Sequence, residues 1–271
     1  MIAVLILTSA MTAGAYNYTT YSIIGEYKVV CEDNVYLVDW NGSEFSIVQA
    51  VPEGYSISLE LDHSIAYASV CGGVPIALCN DIGQNQLVVY TYDTDRCYLD
   101  SFVINDVKVW REGDYYYDGG SLYLVDGGRR NVLTRYTNNG TAAFTRTFES
   151  DITCILGNSG NGFYVVSGNS LFRINGDNCT YISGADVSAS AALFGKNMLI
   201  DNHGRVYRIS GNNAEKLFTA DRENGVVSAC AVNGMYYCAS SSRIIRYDST
   251  GNKQAYFDAC GNIAAMFAYN G

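Results

Sequence analysis

His63 and His203 are the only histidines in the chain, and that scarcity narrows the chemistry available near neutral pH. Imidazole is the one side chain that ordinarily titrates in that range. A zinc-held lyase centre needs several histidines, and a Ser-His-Asp or Cys-His arrangement needs one beside its nucleophile. Here one sits in Leu61-Asp-His-Ser64 and the other in Asp201-Asn-His-Gly204, and both segments read as turns. Calcium would need clustered oxygen ligands. Asp39-Trp-Asn-Gly-Ser-Glu44 and Tyr92-Asp-Thr-Asp95 carry such oxygens but lack the length and distal Glu of an EF-hand loop, so they also read as turns. The sequence has no phosphate-binding glycine loop and no Gly-x-Ser-x-Gly elbow.

Arginine is the residue whose spacing says most. Arg135, Arg173, Arg208 and Arg246 each follow an apolar and a variable residue and precede another apolar residue and a polar turn. The segments are Val132-Leu-Thr-Arg-Tyr-Thr-Asn-Asn-Gly140, Ser170-Leu-Phe-Arg-Ile-Asn-Gly176, Arg205-Val-Tyr-Arg-Ile-Ser-Gly211 and Arg243-Ile-Ile-Arg-Tyr-Asp248. An anion-binding ring is one reading of four such arginines. Recurrence at one repeat position favours another, in which each stem packs along a sheet and each guanidinium bonds a neighbouring loop.

The elements around the arginines recur with them. A strand precedes each: Val35–Asp39, Leu122–Asp126, Phe163–Val166, Met198–Asp201 and Met235–Cys238, with Val74–Cys79 a poorer member. Further upstream come strands rich in small residues: Tyr27–Cys31, Ile65–Val70, Val107–Arg111, Ile152–Leu156, Ser190–Phe194, Val227–Ala231 and Ile263–Phe267. A fourth strand follows the arginine: Ala142–Phe148, Thr180–Ser183, Glu215–Thr219 and Gln254–Asp258. No segment carries a helical apolar period. Four short antiparallel strands per unit of roughly 40 residues predict an all-β propeller. Six units start near residues 27, 64, 107, 153, 189 and 226. Six blades are expected, with a seven-bladed ring as the alternative, and residues 16–24 are expected to supply a closing strand. Ala189, Ala191, Ala229, Ala264 and Ala265 suit strands crowded at a centre.

Leu122–Gly140 and Met235–Gly251 resemble NHL repeats, with an apolar Tyr-Val-Asp-type strand, a short turn, an Arg-apolar strand and a turn ending in Gly. The resemblance is good over 120–260 and loose over 27–106. It implies a propeller, and it leaves function open, because such propellers include protein binders, RNA binders, lyases and lactonases.

Composition bounds the partners. The chain has 271 residues, 48% of them hydrophobic and only 16% charged, with a net charge of −10. An acidic, Lys/Arg-poor chain is poorly suited to nucleic acid or anionic membranes. Residues 1–15, MIAVLILTSAMTAGA, form an apolar run ending in Ala13-Gly14-Ala15, the pattern of a signal-peptidase site, although no basic residue precedes Lys28. We therefore expect residues 1–15 to be a signal peptide, 16–271 a single propeller domain, and the protein to be secreted or on the cell surface, monomeric and without a membrane span. The nine cysteines read mainly as buried small hydrophobes. Cys71 and Cys97 are the loop candidates for a disulfide.

Two functions fit. The first is a non-catalytic extracellular module that binds protein, glycan or cell-wall polymer and takes no cofactor. The second is a lactonase-like hydrolase or lyase using a divalent cation, Ca2+, held by carboxylates such as Glu60, Asp62, Asp151 and Asp186 at the channel. For the first, an insertion at 112–119 in the third unit offers Tyr115, Tyr116 and Tyr117 as an exposed contact patch. The opposite face offers Asp126, Arg129, Arg130, Asp201 and His203 in turns between second and third strands.

Overall fold

The computed structural model describes residues 2–8, 17–23, 28–31, 35–51, 54, 56–157, 162–188, 191–194, 197–221, 228–232, 234–240, 242–258 and 262–269. Its elements are β-strands throughout, and no helix occurs among the described residues. The chain opens with β1 (Ile2–Thr8) and β2 (Asn17–Ile23). Three four-stranded sheets follow: β3 (Lys28–Cys31), β4 (Val35–Asn41), β5 (Glu44–Val51) and β6 (Ser56–Glu60); β7 (Tyr67–Cys71), β8 (Val74–Asp81), β9 (Gln86–Asp93) and β10 (Tyr98–Asn105); β11 (Tyr115–Asp118), β12 (Ser121–Val125), β13 (Val132–Thr137) and β14 (Ala142–Thr147). Three more complete the set: β15 (Ile152–Leu156), β16 (Phe163–Ser167), β17 (Ser170–Asn175) and β18 (Asn178–Ile182); β19 (Ala191–Phe194), β20 (Met198–Asp201), β21 (Arg205–Ser210) and β22 (Asn213–Thr219); β23 (Ser228–Val232), β24 (Met235–Ala239), β25 (Arg243–Tyr247) and β26 (Lys253–Asp258). The last strand is β27 (Asn262–Tyr269).

The six four-stranded sheets are the six units read from the sequence: the second strands of all six, and the third and fourth strands of sheets three to six, fall where the apolar pattern places them, while β5, β6, β9 and β10 complete the first two sheets. Two details differ. Asn17–Ile23 pairs antiparallel with β1, and it is β1 that pairs in parallel with β27, so these three strands form a sheet of their own. The first strand of the third sheet is Tyr115–Asp118, not Val107–Arg111. Residues 106–114 connect sheets two and three, and the supposed insertion is itself the strand. The small-residue signal failed there because tyrosines fill that strand. The proposed cleavage site, Ala13-Gly14-Ala15, and Ala189 lie outside the described residues.

The contacts group the chain into two compact units, Tyr27–Asn158 and Met1–Glu26 with Ser159–Gly271. In the first, the fourth strands are the exposed ones. β8 and β9 are buried along almost their whole length, whereas β10 alternates and is mostly exposed. β12 is likewise buried and β14 exposed. A strand apolar on both faces must be covered on both faces, which is why β8 reads Val-Pro-Ile-Ala-Leu-Cys without polar alternation. Phe45 and Ile47 of β5 pack with Ala77 and Cys79 of β8 and with Val88 and Tyr90 of β9 in one core. In the second unit Met198, Ile200 and Val206 pack with Tyr236, Cys238, Ile245 and Tyr247. Burial pushes the Cys79 and Cys238 thiols up to about 12, as expected of cysteines acting as small hydrophobes. Cys71 is buried in β7 and Cys97 is exposed in the turn before β10, and the two do not form a disulfide with each other.

The four arginines occupy one structural position, the fourth residue of the third strand in sheets three to six. Their cross-strand partners on the second strand are Tyr123, Tyr164, Met198 and Tyr237. Arg173 Nη1 and Nη2 donate to Gly211 O at 3.2 Å and Asn212 Oδ1 at 2.7 Å, in the β21–β22 turn of the next sheet. Arg208 Nη2 donates to Tyr236 Oη of the next sheet at 3.2 Å. The two segments quoted above as NHL-like share a further device, a bulge straight after the arginine, between Arg135 and Tyr136 and between Arg246 and Tyr247. Arg173 is half-buried and Arg208 exposed, and an arginine that links sheets in this way holds the fold. Substituting Arg173 with Ala should lower the unfolding free energy by about 1–2 kcal/mol through lost packing and charge-assisted bonds. A urea midpoint equal to that of the parent would refute the role.

Candidate binding site

Tyr115, Tyr116 and Tyr117 do not form a contact patch. Only 5%, 4% and 8% of their surfaces are exposed. Alternation would have turned at least one of them to solvent had one face of β11 been wet. As the first strand of its sheet, β11 is covered on both faces. The Tyr115 ring meets that of Tyr67, with centroids 6.5 Å apart. Burial raises the Tyr115 phenol well above its usual pKa, and the negative forms of Cys71 and Glu112 add to the shift.

The polar turns contain several devices that serve the fold. Arg130 makes a bidentate pair with Asp114, Nη1 to Oδ2 at 2.8 Å and Nη2 to Oδ1 at 2.7 Å, and its Nη2 also donates to Ile152 O at 3.1 Å. The Asp114 side chain is only 3% exposed. This guanidinium therefore fastens the connection before β11 to the strand that follows β14, and it is not offered to a ligand. In the other unit Asp201, at the end of β20, accepts from the His203 and Arg205 amides at 2.9 Å each and from Arg205 Nε at 2.7 Å. Arg205 Nη1 donates to Asp186 at 2.8 Å, and Asp186 also accepts from Asn169. Asp201 is thus a buried turn organiser, while His203 is exposed beside it. Glu60 accepts from Ser43. Among the described residues, no group of three His, Cys, Asp or Glu is placed to hold a metal ion.

Asp126 and Arg129 stand differently. Asp126 follows β12 and accepts from the Gly128 amide at 2.9 Å, the Arg129 amide at 3.2 Å and Arg129 Nε at 3.1 Å. Burial works to raise its pKa, but those amides and the Arg129 guanidinium outweigh it and hold the carboxyl below the usual range. The Arg129 side chain remains 72% exposed. Both residues line a cleft of about 680 Å³ within the first unit, together with Asn85, Lys108, Trp110 and Tyr136. The cleft runs from the end of β10 across the outer part of the third sheet. At its far side Gly140, in the left-handed region at φ 77°, brings the β13–β14 turn against Val103, so closely that a Cβ there would lie 1.9 Å from the Val103 carbonyl oxygen.

Trp110 is the residue that sequence reading missed. It is 61% exposed, yet its backbone is clamped. Asn80 Nδ2 donates to Val109 O at 2.9 Å, the Val109 amide donates to Asn80 Oδ1 at 3.0 Å, and Tyr67 Oη donates to Trp110 O at 2.9 Å. The indole lies against Gly127, where a Cβ would come within 1.8 Å of Cδ1. A glycine after Asp126 was the available signal, but nothing in the sequence links position 127 to position 110.

No protein-family model matches the chain, and no curated protein matches it. Solved structures do. Kluyveromyces lactis Hsv2 with its loop 6CD replaced by a Gly-Ser linker aligns over 90% of this chain and 89% of its own, at 7% identity and a TM-score of 0.56. Saccharomyces cerevisiae Sqt1 aligns over 91% and 78%, at 13% identity and a TM-score of 0.55. BBS1N, solved in complex with ARL6DN, aligns over 89% and 84%, at 12% identity and a TM-score of 0.54. Likeness at such low identity carries the fold. The chain is an all-β protein of the β-propeller class with six four-stranded antiparallel blades.

Two outcomes test these assignments. Substituting Arg130 with Met leaves the Asp114 carboxylate buried without its partner and should cost about 3–5 kcal/mol of stability, much of it recovered when Asp114 is also replaced by Leu. A loss below about 1 kcal/mol in chemical denaturation would show the pair to be dispensable. The folded pKa of Asp126 lies below its unfolded value, so its stabilisation is complete above the usual carboxylate range and is lost as pH falls through the folded value. Amide exchange at Gly128 and Arg129 should therefore lose protection on acidification below about pH 4, before the β12 core amides do; protection that is insensitive to pH would contradict this.

Proposed function

We propose that the protein is a non-catalytic, extracellular binding module that engages a protein, a glycan or a cell-wall polymer through the cleft beside Trp110. The observation that carries the reading is a largely exposed tryptophan, its backbone held by Tyr67 and, through Val109, by Asn80, and its indole against Gly127, at the rim of a cleft of about 680 Å³. Rigid blades leave recognition to connections and turns. This cleft is built from one such connection, residues 106–110, and one such turn, 126–129. Aromatic anchors that are fixed before binding lose little entropy when a partner arrives. BBS1N, a propeller of similar fold, is itself solved with a protein partner. The repeated Arg-apolar strands support an NHL-like repeat as the source of the scaffold. Export rests on the apolar start and Ala13-Gly14-Ala15. N-terminal sequencing of secreted protein would support it by beginning at Tyr16 and would refute it by beginning at Met1.

The test is binding to a panel of purified surface proteins and cell-wall polysaccharides. Trp110→Ala should weaken the bound ligand by about tenfold or more without changing the melting temperature, whereas Tyr116→Phe should leave affinity unaltered. If every ligand in the panel binds the Trp110→Ala variant as tightly as the parent, the cleft is not the binding surface.

A further inference from the structure

We propose that the ligand of this cleft is an acidic oligosaccharide, one pyranose face stacking on Trp110 and a ring carboxylate meeting Lys108. The inference rests on reading the cleft as the binding surface and names what that surface recognises. Three features of the cleft lead to it. The first is the platform. The Trp110 ring is broad, exposed and fixed, because Val109 is anchored in the core with its amide and carbonyl both held by Asn80. The apolar C–H face of a sugar ring is a natural partner for an indole.

The second is the polar rim. Sugar hydroxyls need donors and acceptors at several angles, and Asn85, Asp106, Thr134 and Tyr136 surround the platform. Asn85 and Asp106 are themselves fixed, since Asn85 Nδ2 donates to Asp106 Oδ1 at 2.7 Å and the Asp106 amide donates to Asn85 O at 2.8 Å. Both take left-handed backbone angles, φ 52° and 60°, which place the two side chains at the end of the β9–β10 hairpin.

The third is the charge. Lys108 is half-buried in the lining, and no carboxylate among the described residues pairs with it. Asp126 is occupied by its own turn and by Arg129, whose Nε and Nη2 both pair with it and whose side chain is otherwise largely exposed. Lys108 and Arg129 therefore line the cleft beside the carboxylates of Asp106 and Asp126, and with Arg129 engaged by Asp126 it is Lys108 that is left for an anion, in a chain whose net charge is −10. The overall field repels polyanions such as nucleic acid. An anion that binds must do so at short range, through one or two groups, which suits spaced ring carboxylates on a short oligosaccharide.

The experiment is calorimetric titration with trigalacturonate, an alginate trimer and a hyaluronan hexasaccharide, each beside its carboxyl methyl ester. At least one acid should bind about tenfold or more tightly than its ester. Lys108→Met should remove that preference while leaving ester binding in place. Trp110→Ala should weaken acid and ester alike, and Gly127→Ala, which displaces the indole, should do the same with the melting temperature retained. Failure of all three acids to bind, or equal binding of acid and ester, overturns the acidic-sugar assignment. If a neutral glycan or a protein from the panel binds in a Trp110-dependent manner in that case, the cleft reading survives. If an acid binds but Trp110→Ala and Gly127→Ala leave it unchanged, the cleft itself is wrong.

Discussion

A four-stranded antiparallel sheet whose second strand is buried on both faces cannot stand alone. β8, β12, β16, β20 and β24 are all of this kind. Each sheet therefore requires cover on both sides, and a repeat supplies that cover with more of itself. From this constraint follow the continuous apolar runs of the second strands, the buried cysteines within them and the step from buried second strand to exposed fourth strand. The polar devices follow too. Once sheets are stacked face to face, their turns come close, and an arginine from one third strand can reach the β21–β22 turn or a tyrosine of the next sheet, as Arg173 and Arg208 do.

Much of this was legible in the sequence. The arginine spacing, the small residues and the Asp-ended second strands located the sheets to within a few residues, because each is a local pattern imposed by a strand or turn. The third unit shows where such patterns stop. Val107–Arg111 alternates like a strand but is a connection, and Tyr115–Tyr117 looks like an adhesive loop but is a core strand. Tyrosine fits both settings equally well, being large and apolar with a polar tip, so its type cannot decide between them. What decides is whether the second face of the strand is covered, and that depends on a neighbouring sheet distant in sequence.

The cleft was half legible for the same reason. Asp126 and Arg129 announce a turn, and turns on a rigid scaffold are where binding belongs. Arg130, beside them and of identical type, is buried against Asp114. Adjacent arginines thus have opposite fates, one set by a carboxylate sixteen positions earlier and one left open to water. Trp110 depends on the absence of a side chain at Gly127 and on Asn80, a residue of β8 that bonds both polar groups of Val109. No periodicity or motif records contacts of that kind.

The polar side chains divide into those that hold turns and those that line the cleft. Asp114, Asp126, Asp186 and Asp201 each accept hydrogen bonds from arginines that fix turns or connections. His63 is engaged through Nδ1 with Tyr90 Oη at 2.8 Å. Asp126 and Asp186, held below the usual carboxylate range by such donors, are poor proton carriers. The groups that line the cleft are mostly of another sort: an indole, an ammonium, the outer edge of a guanidinium, amides and hydroxyls, with the Asp106 carboxylate held by Asn85. They stack, donate and accept without having to change protonation state. A cleft lined in this way gains selectivity from the fixed angles between its groups, and those angles are set by Gly127, Gly140 and the Asn85–Asp106 pair, whose positions in turn depend on the packing of the second and third sheets.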